Sequence, residues 1–503
     1  MTSTPPTAAP SRLVIDAVTV LAGPEPRIRF EGATNDGIPD FVTLRGTRQT
    51  LTAELTVNGD RWQAVVPLLV STWHGPLLPP RSGRYTLSAG VHPVTVTAEL
   101  PSQQLLPSIT RVAFSSKETG LEVTFSAPLS DRERGRLQQA SLEADYRSAS
   151  YEPIDAVFFE SFFGRNASDN PRAIDRALAK LRPDIARYWS IADASIEVPE
   201  GGIALIEGSA EWWRIRGSAR LLVVNDWLRK RLRKRKYQKV LQTWHGTMLK
   251  KLALSRTRQG LRPALATLRE RARWDILLAQ NPHSKRVFRR AYAYLGPVWE
   301  EGYPRDDLLV NGDPAAVRTR LGIADDATVL LYAPTWRDDR PDHVDHLDVP
   351  RFARELGDGY VTLIRGHSRT LLPGEDVYAR NVLDVTAYPD VAELFLVADA
   401  LITDYSSVMF DFTVTGKPLF FFTPDLDHYR ENLRGFYFDL IPVAPGPVVS
   451  KLEDLVELVK GRDEIRPRYA EKYGAWRARF NPRDDGNAAE RVVQRLLNER
   501  IIG

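Results

Sequence analysis

Between residue 11 and about residue 127, apolar and polar positions alternate in short runs: RLVIDAVTVL, RIRFEGAT, WQAVVPLLV, RYTLSA, PVTVTAEL, RVAFSS and LEVTFS. Gly, Pro, Asn and Ser part the runs. A period of two sends successive side chains to opposite faces, so this region predicts short strands folded into an antiparallel β-sandwich. Around SAPLSDRERGRLQQASLEADYRSAS the pattern becomes helical and polar, which puts a boundary near residue 130.

Beyond it the rhythm changes to strand, loop, helix. PIDAVFFESFFG, ARYWSIAD, GIALIEGS, ARLLVVND, KVLQTWHG and WDILLAQN are short continuous apolar runs, with helical segments such as DNPRAIDRALAKL between them. A second series follows, ATVLLYAPT, YVTLIRGH, NVLDVTA, DALITDYSS and KPLFFFT, with helices such as DVAELFLVA. Strands apolar on both faces and separated by helices predict parallel sheets with crossover helices. The expected layout is a β-sandwich over residues 1–130 and two doubly wound α/β units, 131–300 and 301–503, facing a cleft. Ligand sites of open α/β sheets lie beyond the carboxyl ends of the strands, so the residues ending these strands are the candidates.

The composition, with 43% hydrophobic and 26% charged residues among 503, is that of a globular protein without a bilayer-spanning run. The first residues, MTSTPPTAAPSR, lack the basic start and apolar stretch of an export signal, so a cytoplasmic location is expected. Absence of cysteine removes disulfide frameworks, thiolate nucleophiles and cysteine–zinc sites. A net charge of +4 creates no global field for nucleic acid, but the charge is uneven: RKRLRKRKYQK, residues 229–239, holds eight Lys or Arg in eleven positions.

The strand ends carry the chemistry. One strand finishes at Thr243-Trp244-His245-Gly246-Thr247, another at Arg365-Gly366-His367, a third at Thr403-Asp404-Tyr405-Ser406-Ser407 before a helical segment. Hydroxyls and free N–H groups at a helix start suit a phosphate, and GYPRDD and YAPTWRDD add Arg305 and Arg337 after turns. Together these residues describe a site for an anionic substrate with histidines available for proton transfer. Singly, each has a plainer reading: a strand-end histidine as a structural group, Ser406 and Ser407 as helix caps, the arginines as surface ion-pair partners. Their convergence on strand ends favours the site. TVTGKP has Asp411 and Pro418 where a phosphate-binding P-loop needs Gly and Ser or Thr, and no dinucleotide-binding glycine fingerprint, serine-hydrolase elbow or zincin motif is present. The acidic and histidine-containing stretch 337–348 could bind a divalent ion, but its proline and lack of apolar period favour a solvated loop.

The segments QTWHGTMLKKL, GYPRDDLL, YAPTWRDD, RGH, FFESFFGRNASDNPRAI and the long block TDYSSVMFDFTVTGKPLFFFTPDLDHYRENLRGFYFD resemble the CDP-glycerol glycerophosphotransferase family of teichoic acid primases and polymerases, over residues 150 to 480 and in the family's order. The resemblance implies a GT-B fold and transfer of a polyol phosphate from a CDP-activated polyol to an acceptor hydroxyl, with release of CMP. It implies that His245 is the general base, with Gly246, Thr247 and Asp169 on the acceptor side. Arg365, His367, Ser406 and Ser407 would hold the diphosphate and stabilise charge on the leaving CMP, with Arg305, Arg337, Asp404 and Asp411 on the same donor side. Neither metal nor cofactor is expected. Met248 stands where the family commonly has proline, and Gly366 where a bulkier residue is frequent; the N-terminal β region lies outside the resemblance.

Acceptors of this kind are lipid-linked or polymeric, so the basic block and the neighbouring LKKLALSRTRQGLRPALATLRERARW suggest peripheral attachment to an anionic membrane surface at the inner face of the cell membrane. A solvated helix face is the alternative for the block. A sugar-nucleotide glycosyltransferase releasing the nucleoside diphosphate is the rival enzyme. A nucleic-acid binder would explain the block but leave the strand-end histidines without a role.

Overall fold

The computed structural model describes all residues except 1–12, 34–38, 91–93, 118–119, 229, 231, 257–259, 336–346, 367–380 and 427–434. The chain divides into two compact units, residues 1–139 with 192–197, and residues 140–191 with 198–503.

The first unit is built on a nine-stranded sheet. Strand Thr50–Asn58 joins its halves: residues 50–54 pair with Phe41–Gly46, and residues 55–58 with Arg61–Pro67. The period of two is realised as predicted, with Ile28, Phe30, Trp62, Ala64, Leu87, Val123 and Phe125 in one core. Strands Phe41–Gly46 and Thr50–Asn58 lack a clear sequence signal because threonines dilute their apolar members, yet Val42, Leu44 and Leu51 are buried. One pairing departs from the antiparallel expectation: Leu13–Ile15 runs parallel to Val94–Val96.

The second unit contains two parallel sheets. In the first, β1 (Ile154–Glu160), β2 (Ala186–Ile191), β3 (Ile203–Ile206), β4 (Ala219–Val224), β5 (Lys239–Gln242), β6 (Ile276–Ala279) and β7 (Val298–Glu300) lie in the order β3-β2-β1-β4-β5-β6-β7. In the second, β8 (Thr328–Ala333), β9 (Tyr360–Ile364), β10 (Val382–Asp384), β11 (Ala400–Thr403), β12 (Leu419–Phe422) and β13 (Val448–Val449) lie in the order β10-β9-β8-β11-β12-β13. Both orders reverse beside the first strand, which opens a crevice between β1 and β4 and another between β8 and β11. Strands such as β6 and β12 are buried along their whole length, which is why they read as unbroken apolar runs. Helix α1 (Asp169–Leu181) comes after β1 and packs against the C-terminal helix Ala488–Asn498.

Among the described residues of the basic block, 230 and 232–238 form a loop and Lys239 opens β5, so they present no helix face. Several of its charges are already used: Lys234 pairs with Asp275 at 2.9 Å, Lys230 lies 3.8 Å from Glu207, and Arg235 stacks over Tyr146 and Tyr151.

Candidate active site

Strand β5 leads directly to His245. The Thr243 N–H still donates to Val224 O at 2.8 Å, and then Trp244 turns the chain out of the sheet in the left-handed region, φ 56°. The imidazole stacks on the Trp244 indole, centroids 5.0 Å apart, and lies 5.5 Å from the Phe162 ring. Its Nδ1 sits 2.6 Å from the carbonyl oxygen of Asn225, the residue just after β4. A carbonyl only accepts, so Nδ1 carries a proton, and the tautomer this selects has its lone pair on Nε2. The fold thus fixes the tautomer of a half-buried histidine. Phe162, Phe163 and Asp169, all near this strand end, also have positive φ. Left-handed non-glycine residues cost on the order of 1–3 kcal/mol each and gather where function requires a set geometry.

Beneath the histidine lies a buried charge network centred on Arg305. Its Nη1 donates to Asp169 Oδ2 at 2.5 Å and to His245 O at 3.2 Å, and its Nη2 donates to Asp411 Oδ1 at 2.8 Å. Asn170 ties the same elements together: its Oδ1 accepts from the Arg305 N–H at 3.1 Å and its Nδ2 donates to Trp244 O at 3.2 Å. Three elements distant in sequence, the start of α1, the end of β5 and the turn at Arg305, are thereby locked to the helix Val408–Phe412 that carries Asp411.

Three acids crowd this network. Burial, reinforced by the charges of Asp411 and Asp484, raises the Asp306 carboxyl well above the usual range, and burial likewise raises Asp411. Burial and the neighbouring acids thus favour the protonated form of Asp306. Asp484 is pushed up to about 7 by burial, against the N–H donors of Asn481, Tyr303 and Gln280.

The two sheets meet at Gly246, φ 154°. A Cβ placed there would come within 2.9 Å of Ser407 Oγ and 3.1 Å of Ser407 Cβ. The His245 turn therefore lies against the Ser406-Ser407 turn, and both serines are half-buried. The helix after them has only five residues, so hydroxyls and N–H groups, more than a helix dipole, make this turn suited to an anion. At the second crevice the Asp404 carboxylate accepts from the Thr335 N–H at 2.9 Å and the Tyr405 N–H at 2.5 Å, fixing the turns after β8 and β11.

The family model described as CDP-glycerol:poly(glycerophosphate) glycerophosphotransferase matches residues 146–498. The chain belongs to this family. It is 35% identical over 389 residues to the teichoic acid poly(glycerol phosphate) polymerase of Bacillus subtilis strain 168 and 34% identical over 372 residues to the teichoic acid glycerol-phosphate transferase of Staphylococcus aureus. These alignments cover 72% and 68% of this chain. The chain spans about half the length of the first relative, 52%, and 92% of the second. Among solved structures it is similar to the wall teichoic acid polymerase TagF, with a TM-score of 0.67 and 35% identity, covering 73% of this chain and 94% of that one.

Within the family frame, the structure brings His245, Gly246, Ser406, Ser407, Asp169, Arg305 and Asp411 together, but it changes what several of them can do. Arg305, expected on the donor phosphates, is 6% exposed and satisfied by two carboxylates and a carbonyl, because a guanidinium at that depth needs its counter-charges within the protein. Asp411, expected on the donor side, and Asp169, expected on the acceptor side, are those counter-charges. Thr247 is fully buried, with its hydroxyl bonded to Gln280 and 3.1 Å from Ser284 Oγ, so it braces the turn and does not face an acceptor. Arg365 donates to Val385 O and Tyr388 O, and burial pushes its guanidinium down to about 10. Both bonds leave from Nη1 and shape the loop after β9, and the side chain is half-buried. Asp404 organises backbone, as described. His367 and Arg337 lie outside the described residues, as does most of the stretch 337–348.

Asn170, Asn225, Tyr303, Asp306 and Asp484 join the site as well; Asn170 lies in FFESFFGRNASDNPRAI and Tyr303 and Asp306 in GYPRDD, where none of them was singled out. Asn225 lies just past a strand end as His245 does, and buried polar groups at strand ends were the available signal.

Proposed function

We propose that this protein is a transferase that moves a polyol phosphate, glycerol phosphate or ribitol phosphate, from a CDP-activated donor to a hydroxyl of a lipid-linked or polymeric acceptor in teichoic acid synthesis. The observation that carries the reading is the placement of His245: Nδ1 is committed to a carbonyl, Nε2 is left basic, and the Ser406-Ser407 turn adjoins the next residue. The acceptor oxygen attacks the distal phosphorus as His245 Nε2 takes its proton. The bond from that phosphorus to the bridging oxygen breaks, and CMP departs with the electron pair. The serine turn receives the phosphate charge. We read the chain as a β-sandwich over residues 1–130 followed by a GT-B arrangement of two Rossmann-like domains, residues 131–300 and 301–503; the compact units divide at residue 139 instead, with residues 192–197 in the first.

We also propose that the protein acts at the inner face of the cell membrane, held peripherally. No helix among the described residues is long and apolar enough to cross a membrane. Support for an interfacial position comes from the helix Leu261–Arg271, which buries Thr267 and Glu270 while Leu261 and Leu265, 85% and 51% exposed, share the outside with Arg262 and Arg269. Flotation with anionic liposomes should give salt-sensitive association; none would remove this part of the reading.

Nucleotide release from CDP-glycerol and CDP-ribitol, with and without a polyol-phosphate acceptor, tests the reaction. Acceptor-dependent CMP that is lost in His245→Ala supports it. Release of a nucleoside diphosphate from sugar nucleotides, with no CMP from either donor, would replace it by glycosyl transfer.

A further inference from the structure

A cavity of about 310 Å³ opens beside Arg305 and runs along helix α1. Asp169, at the head of the helix, and Arg305 line the end nearest His245, whose carbonyl Arg305 holds. Three cations of α1 line it as well: Arg172, Arg176 and Lys180. A spacing of four sets side chains above one another on one helix face, each step advancing about 6 Å along the axis. The opposite face, Ile174 and Leu178, is in the protein core.

Such stacking is unfavourable in itself, since like charges four apart repel. The acids around the cavity do not relieve it fully. Asp390 lies 3.8 Å from Arg172, but Asp169 is committed to Arg305, Asp307 accepts from the N–H groups of Ala488 and Ala489, and Glu490 accepts from Gln494. Among the described residues Arg176 and Lys180 have no ion-pair partner. Burial and the neighbouring Arg172 charge lower the Arg176 guanidinium, against the weaker opposing pull of Asp390, Glu393 and Asp175. An anion in the cavity would reverse that effect.

We propose that this cavity is the track of the acceptor chain, with Arg172, Arg176 and Lys180 each meeting a successive phosphodiester of a polyol-phosphate polymer. The inference rests on the transferase reading above and deepens it. The spacing also carries information about the polyol. Three bonds of a trans chain span about 3.8 Å, so phosphorus atoms joined through a three-carbon bridge, six bonds apart, lie about 7.6 Å apart when extended and match one helical step of about 6 Å on slight contraction. A five-carbon bridge adds about 2.5 Å per repeat and runs out of register with the ladder. The track therefore suits a glycerol-phosphate chain.

The test compares wild type with Arg176→Glu/Lys180→Glu on the full chain, using synthetic oligo(glycerol phosphate) acceptors of one and of several units. Arg176→Gln/Lys180→Gln serves as the milder pair, and Lys472→Glu, an exposed site on another helix, as the control. Removing an exposed ion pair is expected to cost up to about fivefold in affinity per side chain. The ratio of KM for the long acceptor to KM for the short one should therefore rise about tenfold or more in the charge-reversed variant, and by less in the glutamine variant. KM for CDP-glycerol should move less than about twofold, and the wild-type preference for the long acceptor should weaken with salt. An unchanged ratio overturns the track, and so does a rise confined to the donor KM, which would assign the cations to the donor. Direct titration of the long oligomer without donor separates this proposal from its parent. If no CMP is released but wild type binds the oligomer and the variant does not, the transferase reading fails and the anion track stands. If neither binds, the track is refuted.

Discussion

Replacing Arg305 by alanine is the most informative perturbation of the fold around the site. The side chains of Asp169 and Asp411 are 2% and 1% exposed, so neither could turn to water once the guanidinium is gone. Removing one partner of a buried ion pair costs about 3–5 kcal/mol. A second route gives the same size: a carboxyl that escapes by taking up a proton at pH 7, from an ordinary value near 4, costs about 1.4 kcal/mol per pH unit, or about 4 kcal/mol. Chemical denaturation of the full chain should therefore show Arg305→Ala destabilised by about 4 kcal/mol. The sign of the pH dependence is set by the same carboxyl. In the variant the stranded group has a folded-state pKa above its unfolded value, so the folded state binds the proton more tightly. The deficit should shrink as pH falls from about 7 towards 4, by about 1.4 kcal/mol per pH unit for one proton, and be largest at and above neutrality. Arg305→Lys keeps the charge but loses the planar fork that reaches two carboxylates and His245 O at once, and should fall between. A deficit below about 1 kcal/mol, or one of equal size at about pH 5 and pH 7, would refute the assignment of Arg305 as the counter-charge of this site.

Other consequences can be checked directly. His245→Gln should lower turnover by about 10²–10⁴-fold, the usual contribution of a positioned base, while calorimetry finds donor binding retained; a loss of donor affinity of the same size would move the residue from chemistry to binding. Gly246→Ala should cost about 1–3 kcal/mol in unfolding experiments, because its Cβ meets Ser407 Oγ at 2.9 Å in a backbone conformation that side chains rarely adopt; wild-type stability and turnover would show that the two turns are not in contact. Asp484, raised to about 7 from an ordinary value near 4, contributes stability that is fully present below about pH 4 and is lost as pH rises through about 7. Melting curves of Asp484→Asn should accordingly be flatter over that window than those of wild type, and parallel curves would mean the carboxyl titrates normally.

Much of this was decided by local pattern alone. The period of two in the N-terminal region and the unbroken apolar runs beyond residue 150 specify strands because a strand apolar on one face or on both must be covered accordingly, and sequence carries that requirement directly. The same pattern located His245 and the Ser406-Ser407 turn, since residues just past the end of a parallel strand lie at the carboxyl edge of its sheet. The short edge strands β7 and β13 carry too few residues for any periodicity to register.

Only the tertiary structure decided which polar side chains are free. Arg305, Asp169 and Asp411 read as ligand-binding residues in a linear sequence, and they form a closed set because the fold sinks all three to a depth where charges must be paired within the protein. The tautomer of His245 depends on a carbonyl twenty residues away, just past the end of a neighbouring strand. Proximity of Gly246 to Ser407 joins residues of two different sheets, and no local pattern encodes such a contact. Arg172, Arg176 and Lys180 are an ordinary charged helix face until helices and loops from the far end of the chain wall a cavity along them. Sequence determines which faces must be buried; the assembled fold determines which charges remain for a ligand.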